Sequence, residues 1–107
     1  MSLKPVVFQP TRILSSTTGL EIVEQVQTSL EDGDRIFLID LSDVLLMDST
    51  GLGCLVNALE KVQTANGQLY LCSLKGQAAM LFELANMGTV FQVFRDRAAF
   101  NHYIAEQ

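Results

Sequence analysis

The amino-acid sequence predicts one α/β domain over residues 1–107, with a mainly parallel central sheet and alternating helices. Two apolar runs, Ile36–Ile39 and Gln68–Ser73, have the composition of buried strands. The segment between them has apolar residues at helical spacing. When a helix connects two strands of one sheet, the strands run parallel and the crossover is right-handed. With 49% hydrophobic residues, the chain is large enough for a single core and too short for two.

The first third of the chain predicts a strand followed by a helix. The strand is Val6–Phe8, and it should be short because prolines flank it on both sides. Arg12–Leu14 is expected to resume the extended path. Apolar residues then recur every three or four positions, which predicts a helix over Thr18–Leu30. The hydroxyl-rich segment 15–18 is suited to capping the N-terminus of this helix.

The middle of the chain should contain the central strand and an amphipathic helix. Ile36–Ile39 follows a turn-forming acidic segment and is expected to be covered on both faces. A helix is predicted from Ser49 to just before Gly67, with an apolar stripe at three- and four-residue intervals. The stripe comprises Leu52, Leu55, Val56 and Leu59, and Val62 or Gln63 would continue it. It places Leu52 in the core, although an outward-facing Leu52 would be an exposed apolar anchor.

Three further elements are expected after the second apolar run. Gln77–Asn86 has the apolar spacing of a short helix, which Gly88 would end. Val90–Phe94 alternates like a half-buried strand. The last helix is predicted over Asp96–Ala105, with its first residue as the N-cap.

Charge and composition exclude several classes of function. Twelve acidic against seven basic residues give a net charge of -5, which disfavours binding to nucleic acid or to anionic membranes. No stretch reaches the roughly 20 apolar residues of a membrane span, and the N-terminus lacks the apolar core of a secretory signal. We therefore expect a cytoplasmic protein. Cys54 and Cys72 are expected to be small buried hydrophobes, and since His102 is the only histidine, no metal site or cofactor is expected.

The most informative segment is Met47–Gly53, where a strand-like run leads into a helix. Its hydroxyl groups lie at a helix N-terminus, where unpaired N–H groups favour negative charge. One interpretation of Asp48–Thr50 is that it caps the helix and has no other role. A capping role is also compatible with a switch. Gly51 and Gly53 lack the further residues of nucleotide-binding loops, and they either let another backbone approach or ease the turn. Since no base is placed to activate Ser49, we do not expect an enzyme.

A family resemblance centres on this segment. Leu45–Gly53 resembles the signature of the STAS-domain anti-sigma factor antagonists of bacteria. Arg35–Val44 is similar to the central strand of that family and its exit, and Leu81–Phe94 is similar to its late helix and following strand. The resemblance implies a STAS-type fold and partner switching in transcription regulation. In this scheme the unmodified protein binds an anti-sigma factor that is also a serine kinase, which frees the sigma factor.

The resemblance also implies which residues act. Ser49 is the residue that the kinase phosphorylates, with Thr50 as a less favoured acceptor. The phosphorylated protein releases the kinase, and a metal-dependent serine phosphatase restores the unmodified form. The residues expected to contact the partner are Ser15, Asp48, Ser49, Thr50, Gly51, Leu52 and Gly53.

The chain departs from the family after its first strand. Where relatives often have Gly-x-Leu-Asp, this sequence has Arg12-Ile13-Leu14-Ser15, so the glycine and the acidic residue are missing. In relatives that acidic position faces the phosphorylation site. The departure leaves a second function open, in which the domain is a constitutive STAS subunit of a larger assembly such as a lipid-transporting ABC complex.

Overall fold

The computed structural model describes residues 4–107 as alternating strands and helices. The strands are β1 (Val6–Phe8), β2 (Arg12–Leu14), β3 (Ile36–Asp40), β4 (Val44–Met47), β5 (Gln68–Cys72) and β6 (Val93–Phe94). The helices are α1 (Ser16–Glu31), α2 (Ser49–Thr64), α3 (Gly76–Leu84) and α4 (Arg97–Ala105), with a 3-10 helix at Met87–Thr89. Within the described residues no helix is long and apolar enough to cross a membrane.

The central sheet is parallel and has the strand order β1-β3-β5-β6. The apolar run of β3 lies between β1 and β5, and the side chains of Phe37, Leu38 and Ile39 are fully buried. A continuous apolar run is typical of a strand that is covered on both faces, because neither face meets water. The structure therefore confirms the predicted α/β fold with its mainly parallel sheet and its central strand.

Side chains alternate between the two faces of the sheet and divide the core into two layers. Phe37 and Ile39 face the larger layer, which contains the buried sides of α1, α2 and α3. Leu38 and Tyr70 face the smaller layer, where they pack with Phe100 of α4. The apolar stripes of the predicted helices thus face the sheet, and α1 packs directly against α2.

The strand β4 positions the candidate site, and it is the strand-like run that the sequence analysis expects before the helix, although without defined bounds. It pairs in parallel with β2 and forms a second, two-stranded sheet outside the central one. The two strands end side by side, and each runs into a helix almost at once: β2 into α1 and β4 into α2. The N-termini of two helices therefore lie at the same end of this small sheet.

The predicted strand Val90–Phe94 is wrong for its first three residues. Only Val93 and Phe94 pair with β5, because the register reaches only the last two residues of that strand. Phe91 is instead buried against Phe82 of α3, with 5.6 Å between the ring centroids.

The two cysteines also differ from each other. Cys72 is buried as expected, whereas Cys54 is only half-buried. Both are free thiols.

Candidate functional site

The candidate site is built where β2 and β4 end. The Asp48 N–H donates to the carbonyl of Leu14 over 3.2 Å, which is the last hydrogen bond between the two strands before the chain enters α2. Ser15 follows Leu14 as the N-cap of α1, and its N–H donates to Thr18 Oγ1 over 2.9 Å. The structure therefore places Ser15 beside the start of α2, where a Cβ on Gly51 would lie 3.2 Å from the Ser15 nitrogen.

Asp48 is the N-cap of α2. Its Oδ1 accepts hydrogen bonds from the Thr50 hydroxyl at 2.7 Å and from the Gly51 N–H at 2.8 Å. The Thr50 hydroxyl above all, and then the Gly51 N–H, hold the pKa of the Asp48 carboxyl below its ordinary value. The carboxylate is fully ionised near neutral pH and satisfies an amide that the helix itself leaves unpaired. The capping interpretation of this segment is confirmed.

Ser49 and Thr50 are both exposed but differ in what their hydroxyls do. The Thr50 hydroxyl is occupied by Asp48. The Ser49 hydroxyl makes no hydrogen bond within residues 4–107 and stands on the first residue of α2. Of these two hydroxyls, only that of Ser49 is presented to solvent without an internal partner. The Ser49 hydroxyl is therefore the one of the two that is available for contact with another molecule.

The two glycines of the segment have different roles. A Cβ on Gly51 would lie 2.6 Å from the carbonyl carbon of Leu14 and closer still to its oxygen. Gly51 therefore allows another backbone to approach, as one of the two sequence interpretations holds, but that backbone belongs to β2 of the same chain. A Cβ on Gly53 would meet nothing within 4 Å, and Gly53 is exposed.

The predicted partner contacts need one correction. Leu52 is 7% exposed and belongs to the main core, and Gly51 is buried as well. The helical stripe of α2 turns Leu52 inward, as its spacing indicates, so neither residue offers a surface to a partner. Asp48, Ser49, Thr50 and Gly53 are exposed, and Ser15 is half-buried.

Sequence reasoning missed two exposed leucines in β4. Arg12 pairs with Val44, but Ile13 pairs with Leu46, so Leu45 is an extra residue that forms a bulge. The bulge breaks the alternation of the strand: Val44 and Met47 are buried, while Leu45 is 68% exposed and Leu46 51% exposed. Four consecutive apolar residues carry no local signal of such a bulge.

Further exposed apolar side chains lie on the elements next to β4. Ile13 lies opposite Leu46 in the β2–β4 register and is half exposed. Met80 and Leu84 are strongly exposed on α3, which packs against β4. We call these side chains the β4 patch: Ile13, Leu45, Leu46, Met80 and Leu84. Exposed apolar surface beside a polar site is typical of protein–protein contact.

Within residues 4–107 no group of three or more His, Cys, Asp or Glu side chains is placed to hold a metal ion. The glycines of α2 are used for backbone packing and helix surface, as described above. The arrangement is suited to presenting one hydroxyl to another protein.

Comparison with known proteins places the chain in a family. The family model of the STAS domain matches residues 4–99. The chain belongs to the STAS domain family. This STAS domain is 32% identical over 72 residues to the anti-sigma-B factor antagonist of Staphylococcus aureus, a match that covers 66% of this chain and 67% of the relative.

Solved structures share the STAS fold. A candidate anti-sigma factor antagonist from Thermotoga maritima superposes with a TM-score of 0.85 at 22% identity, over 94% of this chain and 87% of that one. The phosphorylated form of the Bacillus cell fate determinant SpoIIAA superposes with a TM-score of 0.70 at 15% identity, over 95% of this chain and 93% of that one. The STAS fold of this chain is thus shown by both sequence and structure.

Proposed function

We propose that this STAS domain is an anti-sigma factor antagonist whose binding to an anti-sigma factor with serine kinase activity is controlled by phosphorylation of Ser49. The observation that carries the proposal is the exposed Ser49 hydroxyl, which has no internal partner among the described residues and stands at the start of α2. The Staphylococcus aureus relative supports the general role by its name. SpoIIAA supports the switch because its structure is known in a phosphorylated form.

A phosphate on Ser49 would leave the fold intact. It adds about -1.5 to -2 charges at the N-terminus of α2, and the helix dipole stabilises such a charge by about 0.3 to 1 kcal/mol. Ser49 is exposed, so the phosphate remains in water. The modification therefore acts on binding and not on folding.

The same phosphate would oppose docking of the partner. Leu46 of the β4 patch precedes Ser49 by three residues and both are exposed, so a protein that docks on this part of the patch approaches the serine. It would have to remove water from a phosphate that stands beside the Asp48 carboxylate. A cost of about 3 kcal/mol already weakens binding about 100-fold.

The proposed mechanism does not need an acidic residue at position 15, because Asp48 already places a carboxylate next to Ser49. Ser15 replaces the acidic residue of relatives, and its backbone N–H is used by Thr18. Asp48 is then the acidic residue directly before the proposed phosphorylation site. A serine phosphatase that removes the phosphate would restore the binding form.

Variants of Ser49 test the proposal. Calorimetry with the purified anti-sigma factor kinase should show that Ser49→Ala binds as tightly as the unmodified protein, and that Ser49→Asp binds at least about tenfold more weakly. Thr50→Ala is the matched control and should bind normally. Both Ser49 variants should unfold within about 0.5 kcal/mol of the wild type, since the residue is exposed.

Two outcomes would contradict the proposal. One is equal affinity of the alanine and aspartate variants. The other is co-purification with a transporter ATPase, with Ser49 unmodified in mass spectra of protein from its own cells, which would support the constitutive STAS subunit instead.

A further inference from the structure

Gln77, near the start of α3, makes two hydrogen bonds with a single residue of β4. Its Oε1 accepts from the Met47 N–H at 2.7 Å, and its Nε2 donates to the Met47 carbonyl at 2.9 Å. Because Met47 offers one donor and one acceptor, only one orientation of the amide satisfies both. A neighbouring strand would make the same kind of contacts with that residue.

The pair of bonds closes an edge that the small sheet leaves open. The two-stranded sheet contains β2 and β4, and β4 meets β2 on its other side through the Asp48 N–H and the Leu14 carbonyl. In a strand, the backbone groups of successive residues point to opposite sides. Met47 is therefore held by α3 and Asp48 by β2, directly before Ser49.

Gln77 also connects α3 to the β4 patch. Gln77, Met80 and Leu84 lie three and seven residues apart, which places them on one side of the helix. The helix itself is only nine residues long, and Ala78 and Phe82 are its buried residues. Gln77 is exposed, so its two hydrogen bonds join α3 to β4 at the surface and not in the core.

We infer that Gln77 is a positioning residue for Ser49: its amide holds the end of β4 and thereby fixes the helix start that presents the serine hydroxyl. This inference rests on the proposed role of Ser49. A partner that contacts Met80 or Leu84 would act on α3, and Gln77 transmits the position of α3 to Met47. The β4 patch and the serine are thus kept in a fixed relation to each other.

Amide hydrogen exchange of the purified protein, followed by NMR, tests this inference. Gln77→Leu keeps the approximate size of the side chain but removes both bonds. We expect exchange of the Met47 amide to become about tenfold faster. The Asp48 and Gly51 amides should also exchange faster, although their acceptors are Leu14 and Asp48 and not Gln77. The Ala99 amide, which donates to Asp96 at the start of α4, is the remote reporter and should not change.

Two variants control the experiment. Gln27→Leu removes an exposed glutamine whose amide donates to Glu31 on α1, and it should change none of these amides. Gln77→Glu keeps the acceptor for the Met47 N–H and loses the donor, so its exchange rates should lie between those of the wild type and Gln77→Leu. It also keeps the test decisive if the leucine variant folds poorly.

The outcomes separate a positioning role from simpler ones. Faster exchange of Met47 alone would overturn the inference, because Gln77 would then satisfy one residue without fixing the helix start. Equal acceleration at Ala99 would overturn it as well, since the loss would be global. Absence of phosphate on Ser49 in native cells would remove the proposed function but would leave the exchange result for Gln77 unchanged.

Discussion

Two aspartates lie at the ends of strands in this domain, Asp40 in a buried position and Asp48 in an exposed one. Asp40 is the last residue of β3 and is 4% exposed. Asp48 follows β4 and is exposed, and among residues 4–107 it accepts hydrogen bonds only from Thr50 and Gly51, two and three residues ahead. The first aspartate joins distant parts of the chain, whereas the second organises one helix turn. Asp40 thus contributes to holding the fold together, whereas Asp48 lies in the exposed segment that contains Ser49.

The network around Asp40 is closed. Arg97 of α4 donates to Asp40 Oδ2 from Nε at 3.1 Å and from Nη2 at 2.9 Å, and the Ser42 N–H donates to Oδ1 at 3.0 Å. Arg97 also donates to Gln9, whose amide reaches Ser42 and Asp43. Each of these polar groups is used by another member of the network.

The largest expected effect comes from the backbone contact under Asp48. Gly51→Ala should lower the free energy of unfolding by about 3 kcal/mol, because the new Cβ would overlap the Leu14 carbonyl and push β2 away from α2. Urea denaturation followed by circular dichroism measures the change.

Gly53→Ala is the matched control for that variant. Its Cβ has open space in the same helix, so it should stabilise the protein by about 0.5 to 1 kcal/mol. If the two alanine variants were equally stable, the close contact between β2 and α2 would not exist in solution.

The next effect concerns the closed network. Arg97→Leu should cost about 2 kcal/mol, because it leaves the Asp40 carboxylate, whose side chain is 6% exposed, without its cation. The cost is below that of a fully buried pair since the Arg97 side chain is 42% exposed. Arg95→Leu is the control, because Arg95 is 88% exposed and pairs with a partly exposed Asp96. That variant should stay within about 0.5 kcal/mol of the wild type. Similar losses in both would contradict a structural role for the pair.

A smaller effect appears in acid. Burial by itself would raise the pKa of Asp40, but hydrogen bonds from Ser42 and Arg97, with the charge of Arg97, overcome it and hold the pKa below 3.8. A carboxyl whose pKa is lowered on folding stabilises the protein above its unfolded pKa and loses this contribution as the pH falls through its folded pKa. The difference in unfolding free energy between the wild type and Asp40→Asn should therefore shrink below pH 3.8. A difference that stays constant down to pH 2 would show that the Asp40 charge contributes nothing.

The sequence predicts the buried core better than the exposed surface around Ser49. The run Ile36–Ile39 and the stripe of α2 follow simple periods, and the structure confirms both. The bulge at Leu45 has no such period, because it arises from the pairing of β4 with a strand about thirty residues earlier. The contact of Gln77 with Met47 cannot be predicted from the sequence either, since the two residues lie 30 positions apart and an exposed helical glutamine needs no partner. What the sequence leaves out depends on contacts between distant segments.

The candidate site is also predicted only as far as its local features allow. The motif Asp48–Gly53 indicates the helix start and the serine, because a cap and a hydroxyl are local features. It does not indicate that Gly51 receives the chain's own β2, or that the neighbouring leucines of β4 face solvent. Local chemistry identifies Ser49 as the candidate residue, and the tertiary structure identifies the surface around it.

The smallest effect distinguishes charge from geometry at Asp48. Asp48→Asn keeps a side-chain oxygen that can accept from Gly51 and Thr50, so its thermal unfolding should stay close to that of the wild type. Asp48→Ala removes both bonds and should lower the Tm, although by less than Arg97→Leu, because these bonds are exposed and local. Calorimetry of the two variants measures the difference. Equal losses would mean that the negative charge itself stabilises α2. A loss confined to alanine would mean that Asp48 is needed as an acceptor, and it would leave the charge at this position free to act on the partner.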